Sequence, residues 1–314
     1  MKYTYLVHGA GRQGLAAVYD LLMRCEAKEV RLYDPCAEAR QKAGERLREL
    51  CPDEPWVIGA DPDYNNVDVI LSCAPYFANP ALTAVALEKG IHFCDLGGNP
   101  EVVAEQARLA TNAVTAVIPE CGVSPGLSNI LATHMAKQGA KEIEVRCGGL
   151  PINPEVNALG YKLVFSAAGL MSEYTGSVPV IREGKLEFVD ALCEDEPFGG
   201  DLIASPTSNN APEVVQTLLD LGVEDYNYMT LRYAGHWDII RGLMAIGLTK
   251  EELVDRLDSC PALQYDIEHD TDRLILDVTA TRYDGITTSW DYNIDLEACP
   301  YTKFTAMELM TSWG

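Results

Sequence analysis

The chain has 314 residues, and its 47 acidic side chains outnumber 24 basic ones, which gives a formal net charge of −23. This length predicts two domains, and a hydrophobic share of 47% argues against intrinsic disorder, which combines high charge with low hydrophobicity. A surface this acidic repels phosphate backbones and anionic lipids. We therefore expect neither nucleic-acid nor membrane-surface binding.

The ten cysteines occur singly, without any CxxC pair, so no zinc-type spacing is present and we expect no metal site. No apolar run approaches the roughly 20 residues that span a bilayer, and no signal-peptide pattern opens the chain. These features predict reduced thiols and a cytoplasmic protein.

The first predicted strand, residues 3–8, leads into a glycine-rich turn followed by helical spacing, and the turn reads Gly9-Ala10-Gly11-Arg12-Gln13-Gly14. In a dinucleotide-binding turn, Gly9 makes the bend, Gly11 lets the pyrophosphate approach the backbone, and Gly14 lets helix and strand pack. The helix N-terminus then presents free N–H groups to the phosphates. The sequence therefore predicts a cofactor contact along this turn, and the alternative is a turn that only links strand to helix.

A second predicted strand, Glu29–Tyr33, ends on Asp34, which comes 20 residues after Gly14 (34 − 14). A carboxylate at this position accepts hydrogen bonds from the adenosine ribose hydroxyls and repels a 2′-phosphate. Pro35 and Cys36 follow it, without an arginine. The pattern favours NAD over NADP.

Further strands at 66–73, 92–95 and 113–119 alternate with helices near 80–88 and 101–112. This alternation predicts an α/β fold with a doubly wound parallel Rossmann sheet, whose ligands bind at the carboxyl ends of the strands. The predicted strand ends are Cys73-Ala74-Pro75-Tyr76, Asp95-Leu96-Gly97-Gly98 and residues 120–126. The last of these leads into a helix that starts near Pro125. We expect Cys73, Ala74 and Pro75 to line the cofactor site.

The second half shows antiparallel signals. A strand is predicted at 142–148, a hairpin joins 179–182 to 185–189, and another joins 273–282 to 286–295 through Asp284-Gly285. Helices are predicted at 212–221, 236–246, 250–257 and 303–313. We therefore predict a Rossmann domain at 1–138, an inserted α+β substrate and dimerisation domain at 139–298, and a C-terminal helix at 299–314 returning towards the first domain.

Five stretches together carry a family resemblance: 120–129 (ECGVSPGLSN), 148–151 (GGLP), 161–166 (YKLVFS), 173–175 (EYT) and 231–236 (LRYAGH). In order and spacing they resemble the saccharopine dehydrogenase family, and within it the lysine 6-dehydrogenase-like branch. The resemblance implies a homodimeric enzyme that uses NAD or NADP to oxidise the carbon–nitrogen bond of an amino acid or amine.

Such chemistry requires a base, because an ammonium nitrogen has no lone pair with which to form an imine. Glu120 and Asp95, at strand ends, and His236 are the candidates. Each has a structural alternative: a helix cap for Glu120, a loop-ordering hydrogen bond for Asp95, and packing at a helix start for His236.

Arg232 is the candidate for holding a substrate carboxylate, since its planar fork matches two oxygens, and its alternative is a structural ion pair. Arg241 is a second candidate. Glu173 and Thr175 are expected to line the substrate pocket, and Tyr76 is expected to contact the nicotinamide or close the cleft. Three functions remain open: oxidative deamination of L-lysine, a saccharopine or carboxyspermidine-type dehydrogenase, and an NAD-binding regulator without turnover.

Overall fold

The computed structural model describes residues 2–25, 27–97, 99–209, 211–283 and 287–313. Chain contacts divide the protein into two units, Met1–Gly126 with Glu308–Gly314, and Leu127–Met307. The division falls between residues 126 and 127, whereas the sequence pattern suggested a boundary after residue 138. The function assigned to each domain stays a prediction. Gly98 and the predicted turn Asp284-Gly285 lie outside the described residues.

The described part of the first unit contains six strands, β1 (Thr4–His8), β2 (Glu29–Tyr33), β3 (Trp56–Ile58), β4 (Val69–Ser72), β5 (His92–Asp95) and β6 (Val117–Ile118). They form one sheet in the order β3-β2-β1-β4-β5-β6, and every pairing is parallel. The strand order reverses beside β1, which is the Rossmann arrangement. The predicted fold class is confirmed.

Four helices accompany this sheet in the described residues: α1 (Arg12–Met23), α2 (Ala37–Leu50), α3 (Asn79–Lys89) and α4 (Pro100–Leu109). Successive side chains of a strand point to opposite faces. Val7 of β1 accordingly packs in one core with Val18 of α1 and Leu47 of α2, while Leu6 packs in another with Ala86 of α3. Both faces of the sheet are therefore covered by helices. The sequence pattern did not predict α2, half of whose residues are charged.

The second unit holds α5 (Leu127–Lys137), α6 (Ala167–Glu173), α7 (Pro212–Asp220), α8 (His236–Ala245) and α9 (Lys250–Ser259), and α10 (Ala306–Trp313) begins at its end. Its strands are β7 (Glu142–Pro151), β8 (Ser177–Arg182), β9 (Lys185–Asp190), β10 (Glu196–Pro197), β11 (Leu202–Pro206), β12 (Asp225–Tyr233), β13 (Asp272–Tyr283) and β14 (Thr287–Glu297). Over the described residues the sheet runs β10-β11-β12-β7-β13-β14, and the hairpin of β8 and β9 joins it at β12.

This sheet is mixed, and that corrects one sequence-based expectation. The predicted hairpin pairings are present, for example Val180 with Glu187 and Arg282 with Thr288. However, β7 and β12 pair in parallel, with Asp225 opposite Glu142. The long connection between these two strands, which contains α6 and α7, allows the crossover that a parallel pair requires.

Among the described residues, no helix combines the length and apolar character needed to cross a bilayer. The same residues contain no group of three or more His, Cys, Asp or Glu side chains arranged to hold a metal ion.

Candidate functional site

The glycine turn between β1 and α1 has the geometry that a dinucleotide requires. Gly9 has a φ of 103°, and a Cβ there would lie 2.6 Å from the Cys73 carbonyl oxygen. A Cβ on Gly14 would lie 1.8 Å from the Gly9 carbonyl oxygen, so neither position accepts a side chain. Around Gly11, by contrast, a Cβ would meet nothing within 4 Å. The first and third glycines thus serve close packing, and the second leaves open space for a ligand.

The N-terminus of α1 is available to an anion. The N-cap residue, Gly11, makes no side-chain hydrogen bond to the first turn of the helix. The Oε1 atom of Gln13 is buried and has no hydrogen-bond partner in the described part of the chain. Aligned N–H groups and the positive end of the helix dipole suit a pyrophosphate. The residues of this turn therefore fit a dinucleotide cofactor.

Asp34 links the end of β2 to the glycine turn. Its Oδ2 atom accepts a hydrogen bond from the Ala10 N–H at 2.9 Å, and its Oδ1 atom accepts one from the Cys36 N–H at 2.8 Å. Arg40 of α2 donates to the carbonyl oxygens of Asp34 and Pro35. The sequence reasoning missed this arginine because it looked only at the residues directly after Asp34, whereas the first turn of α2 brings a later side chain back.

The turn after β4 contacts the glycine turn and carries Tyr76. The Cys73 carbonyl lies against Gly9, as described above, and burial raises the pKa of the Cys73 thiol to about 12. That thiol is neutral at physiological pH and acts as a small apolar group. Ala74 and Pro75 follow, and Tyr76 begins a short 3₁₀ helix in which its ring meets Phe77 edge-on at 5.9 Å.

Asp95 is completely buried, and hydrogen bonds from the described residues engage both oxygens of its carboxylate. It accepts hydrogen bonds from the Gly97 N–H at 2.7 Å, the Gln106 Nε2 at 2.6 Å and the Glu120 N–H at 3.3 Å. Burial raises the pKa of this carboxyl group, and the hydrogen bonds oppose the rise. The geometry supports the loop-ordering alternative. The role of Asp95 as a base stays a prediction that this geometry does not favour.

Glu120 follows β6 and is buried, with a backbone φ of 61°. A residue other than glycine adopts this left-handed conformation at a cost, and such residues are enriched at functional sites. The surrounding loop is held by hydrogen bonds from the Glu120 N–H to Asp95 and from the Cys121 N–H to the Asp95 carbonyl. Glu120 remains the strand-end carboxylate that can serve as a base.

In the second unit, Arg232 of β12 is 2% exposed and lies among aromatic rings. Its guanidinium carbon is 4.7 Å from the Tyr161 ring centre and 5.6 Å from that of Tyr174. Its Nε donates to the Tyr174 hydroxyl at 2.7 Å and its Nη1 to the Leu231 carbonyl at 2.8 Å. The other N–H groups have no hydrogen-bond partner among the described residues, where Arg232 also forms no ion pair. The described structure therefore does not show the structural ion pair that was the alternative role for Arg232.

A chain of hydrogen bonds leads from Arg232 into the protein. The Tyr174 hydroxyl lies 3.0 Å from His236 Nε2, and His236 Nδ1 lies 2.9 Å from the Leu159 carbonyl oxygen. Because Arg232 can only donate to Tyr174, the tyrosine proton points to His236, whose Nδ1–H then donates to Leu159. Burial, with a contribution from the Arg232 charge, lowers the pKa of His236 to about 3. His236 is thus neutral with both ring nitrogens engaged, which favours a positioning role over the predicted base, a role that stays untested.

Glu173 ends α6 beside Tyr174, and the helix begins where the Ser166 hydroxyl accepts from the Gly169 N–H. Glu173 is half-buried as a residue, and its carboxylate accepts no hydrogen bond from the described residues. Burial raises its pKa to about 7, and the Arg232 charge opposes that rise. The Thr175 hydroxyl donates a hydrogen bond to the Met171 carbonyl oxygen at 2.8 Å.

Tyr161 and Arg241, two further polar residues of the second unit, differ in their hydrogen-bonding partners. The Tyr161 hydroxyl is buried without a partner in the described residues, and sequence reasoning had treated this residue only as part of a motif. Arg241 forms ion pairs with Asp195 and Asp238. These ion pairs favour a structural role for Arg241, and its role as a second carboxylate ligand stays a prediction.

The second unit matches a known family. Residues 122–304, more than half of the chain, match the family model of the saccharopine dehydrogenase C-terminal domain. The chain belongs to the saccharopine dehydrogenase family. The matched span contains Tyr161, Glu173, Tyr174, Arg232 and His236, so the buried cluster described above lies inside this family's domain.

Two curated members of the saccharopine dehydrogenase family share less than 30% sequence identity with this chain. The saccharopine dehydrogenase (NADP(+), L-glutamate-forming) of Schizosaccharomyces pombe is 28% identical over 214 residues, covering 63% of this chain and 47% of that protein. The mitochondrial alpha-aminoadipic semialdehyde synthase of Bos taurus is 25% identical over 214 residues, covering 63% of this chain and 22% of that protein. The chain thus spans about half the length, or less, of these curated relatives.

The apo saccharopine dehydrogenase (L-Glu forming) of Saccharomyces cerevisiae is similar in structure. It aligns with a TM-score of 0.72 over 99% of this chain and 89% of that chain, at 18% sequence identity. This likeness shows the shared fold.

Proposed function

We propose that the protein is an NAD-dependent dehydrogenase that oxidises a carbon–nitrogen bond of an amino acid, with L-lysine as substrate and ammonia as a product. The observation that carries the proposal is Arg232, a buried cation whose remaining N–H groups have no partner in the described residues of the family domain. A buried cation that forms no ion pair is costly, and a substrate carboxylate would complete its hydrogen bonding. The glycine turn of the first unit supports the cofactor.

Each residue has a role in this chemistry. The glycine turn of Gly9, Gly11 and Gly14 would hold a nicotinamide dinucleotide, which when bound would supply the hydride acceptor for the carbon that carries the nitrogen. Glu120 takes the proton of the substrate nitrogen, water adds to the resulting imine, and the aldehyde and ammonia are released. Arg232 holds the carboxylate, and Tyr174 with His236 fixes the plane of its guanidinium group. We further propose a homodimer, as the family resemblance implies, which light scattering tests.

The choice between NAD and NADP rests on the end of β2. Asp34 supports NAD because its carboxylate disfavours a 2′-phosphate. Two observations favour NADP as a second candidate: the Arg40 guanidinium beside Asp34, and the NADP in the name of the fission yeast relative. Titration of the protein with each cofactor decides between them.

The saccharopine and carboxyspermidine-type alternatives need additional cations for a larger, more anionic substrate. Two arginines that sequence alone left available are already paired with acids, Arg241 with Asp195 and Arg273 with Asp295. Fewer free cations favour the smaller substrate. A regulator without turnover would bind the cofactor and reduce none of it.

The decisive experiment follows reduced cofactor by absorbance with NAD or NADP and with L-lysine, saccharopine or polyamines. We expect L-lysine to reduce NAD. We expect Arg232→Lys to lower kcat/KM about 10- to 100-fold through loss of bidentate geometry, and Arg241→Lys, the matched control, to leave it nearly unchanged. Turnover of saccharopine but not of lysine would overturn the substrate assignment. Cofactor binding without any turnover would favour the regulator.

A further inference from the structure

The loop that carries Glu120 packs against the loop that follows β5. The Cys121 N–H donates to the Asp95 carbonyl oxygen at 2.7 Å, and Gly97 has a φ of 79°. A Cβ on Gly97 would lie 3.0 Å from the Glu120 Cγ and 3.1 Å from the Glu120 Cα. The Glu120 side chain therefore lies directly against the backbone of Gly97, and a shift of either loop would move its carboxylate.

The Asp95 carboxylate joins these two loops. Its Oδ1 atom accepts hydrogen bonds from the Gly97 N–H at 2.7 Å and from the Glu120 N–H at 3.3 Å. One oxygen atom thus ties together the backbone of Glu120 and the glycine against which its side chain lies. Glu120 has a φ of 61°, and a residue other than glycine keeps this conformation only where its surroundings hold it.

The other oxygen of the Asp95 carboxylate is held from α4 by Gln106. All residues of α4 lie in the described part of the chain, and Gln106, at 1% exposure, is its only buried residue. The Gln106 Nε2 donates to Asp95 Oδ2 at 2.6 Å and to Thr83 Oγ1 of α3 at 3.1 Å. Apolar side chains are the usual occupants of such a position, because a buried amide is costly unless it is hydrogen-bonded. The carboxylate that it orients explains the glutamine.

We propose that Gln106 is a positioning residue for Glu120 and acts through the Asp95 carboxylate. The inference deepens the proposed function and rests on it for the role of Glu120 as the base. The hydrogen bonds run from Gln106 Nε2 to Asp95 Oδ2, and from the Gly97 and Glu120 N–H groups to Asp95 Oδ1. Asp95 then serves as an acceptor that fixes the loop, and proton transfer belongs to Glu120.

A positioning carboxylate differs from a base in what an amide can replace. In Asp95→Asn the side-chain oxygen can still accept from the Gly97 and Glu120 N–H groups, and the new NH₂ group faces Gln106. The Gln106 Oε1 atom is buried without a partner in the described residues. Rotation of this amide by about 180° turns Oε1 towards position 95, where it accepts from the NH₂ group. The site thus accommodates Asp95→Asn, whereas an amide cannot act as a base.

Steady-state kinetics test the proposal, with L-lysine and NAD or with the amine and cofactor that the substrate screen identifies. We expect Asp95→Ala to lower kcat about 100-fold, the cost of misplacing a reacting group by ~1 Å. Gln106→Leu should lower kcat about 10-fold, and Asp95→Asn should keep it within about fivefold of the wild type. KM and the cofactor affinity from fluorescence titration should change less than about threefold in all three variants, since only the base is displaced.

The matched control is Gln216→Leu, which should leave kcat unchanged. It removes an exposed helical glutamine that also donates to a carboxylate, Asp220 Oδ1 at 2.8 Å. Equal losses of kcat in Asp95→Asn and Asp95→Ala would overturn the proposal, because a base gives that result. A wild-type kcat in Gln106→Leu would overturn it as well. So would a loss of cofactor affinity as large as the loss of kcat, which indicates general damage to the first unit.

Amide hydrogen exchange separates this proposal from the proposed function, because it requires no turnover. Exchange in peptides that contain residues 95–97 and 119–122 should be about 10-fold faster in Gln106→Leu than in the wild type and in Gln216→Leu. If exchange accelerates in this way and the wild type oxidises no amine, the hydrogen-bond network stands and the dehydrogenase function fails. If the wild type oxidises lysine while Gln106→Leu matches it in exchange and in kcat, the function stands and the positioning role is wrong.

Discussion

Removal of one hydroxyl group at Tyr174 or at Tyr161 should have opposite consequences, although the two side chains look alike. Both are essentially inaccessible, at 0% and 1% exposure, and both rings lie against the Arg232 guanidinium. The Tyr174 hydroxyl joins Arg232 to His236, at 2.7 Å and 3.0 Å. The Tyr161 hydroxyl joins nothing in the described residues. Phenylalanine at each position is thus the same chemical change in two different hydrogen-bonding contexts.

The magnitudes follow from the groups left behind. Tyr174→Phe leaves the Arg232 Nε–H and the His236 Nε2 without partners, and each buried unsatisfied group costs about 1–3 kcal/mol. Together they should lower the free energy of unfolding by roughly 2–6 kcal/mol, which at about 2–4 °C per kcal/mol corresponds to a melting temperature roughly 4–24 °C lower for a unit of this size. Tyr161→Phe removes a hydroxyl that is already unsatisfied, so we expect an unchanged or slightly higher melting temperature.

Differential scanning calorimetry of the full chain measures both effects. The catalytic readout distinguishes positioning from stability: in Tyr174→Phe, KM for L-lysine should rise about 10-fold, while KM for 1,5-diaminopentane, which has no carboxylate, should change little. Equal melting temperatures in the two variants would refute the hydrogen-bond chain. Equal rises in KM for the two substrates would refute its role in holding the carboxylate ligand.

Three further expectations concern the turn, the cofactor and pH. Gly14→Ala should abolish dinucleotide binding and destabilise the first unit, because its Cβ would lie 1.8 Å from the Gly9 carbonyl oxygen. Gly11→Ala should fold normally and bind the cofactor more weakly. Fluorescence titration measures the binding, and thermal melts measure the stability. Asp34→Ala should weaken NAD binding more than NADP binding in the same titration. Burial raises the pKa of Glu173 to about 7 in the folded protein, above its usual value near ~4.3. Between these two pKa values the folded state binds a proton that the unfolded state has lost, so the free energy of unfolding should fall as pH rises from about 5 to 8. Glu173→Gln should flatten that fall.

These expectations have clear contrary outcomes. Normal cofactor binding by Gly14→Ala would mean that the turn does not pack as described. Equal losses of NAD and NADP affinity in Asp34→Ala would remove the reason for preferring NAD. An unchanged pH dependence in Glu173→Gln would show that this carboxyl group titrates normally.

Local spacing by itself predicted the glycine turn and the alternation of strands and helices in the first unit of this protein, with the exception of α2. Strand, glycine turn, helix and acid lie within one continuous stretch, and the steric demands on Gly9 and Gly14 arise from backbone atoms that any such turn brings together. Strand-and-helix alternation then predicted the parallel sheet, which the order β3-β2-β1-β4-β5-β6 confirms. The motif set likewise identified the family, because its order along the chain is itself a sequence property.

Only the tertiary structure decided which of the candidate side chains are already engaged. Arg232 meets Tyr174 across 58 residues of sequence, Tyr174 meets His236 across 62, and His236 meets Leu159 across 77. No local pattern encodes such pairings, so sequence alone could not separate a base from a neutral positioning residue, or a free arginine from a paired one. Burial sets the pKa of His236 to about 3 and that of Glu173 to about 7, and burial is a property of the packed protein.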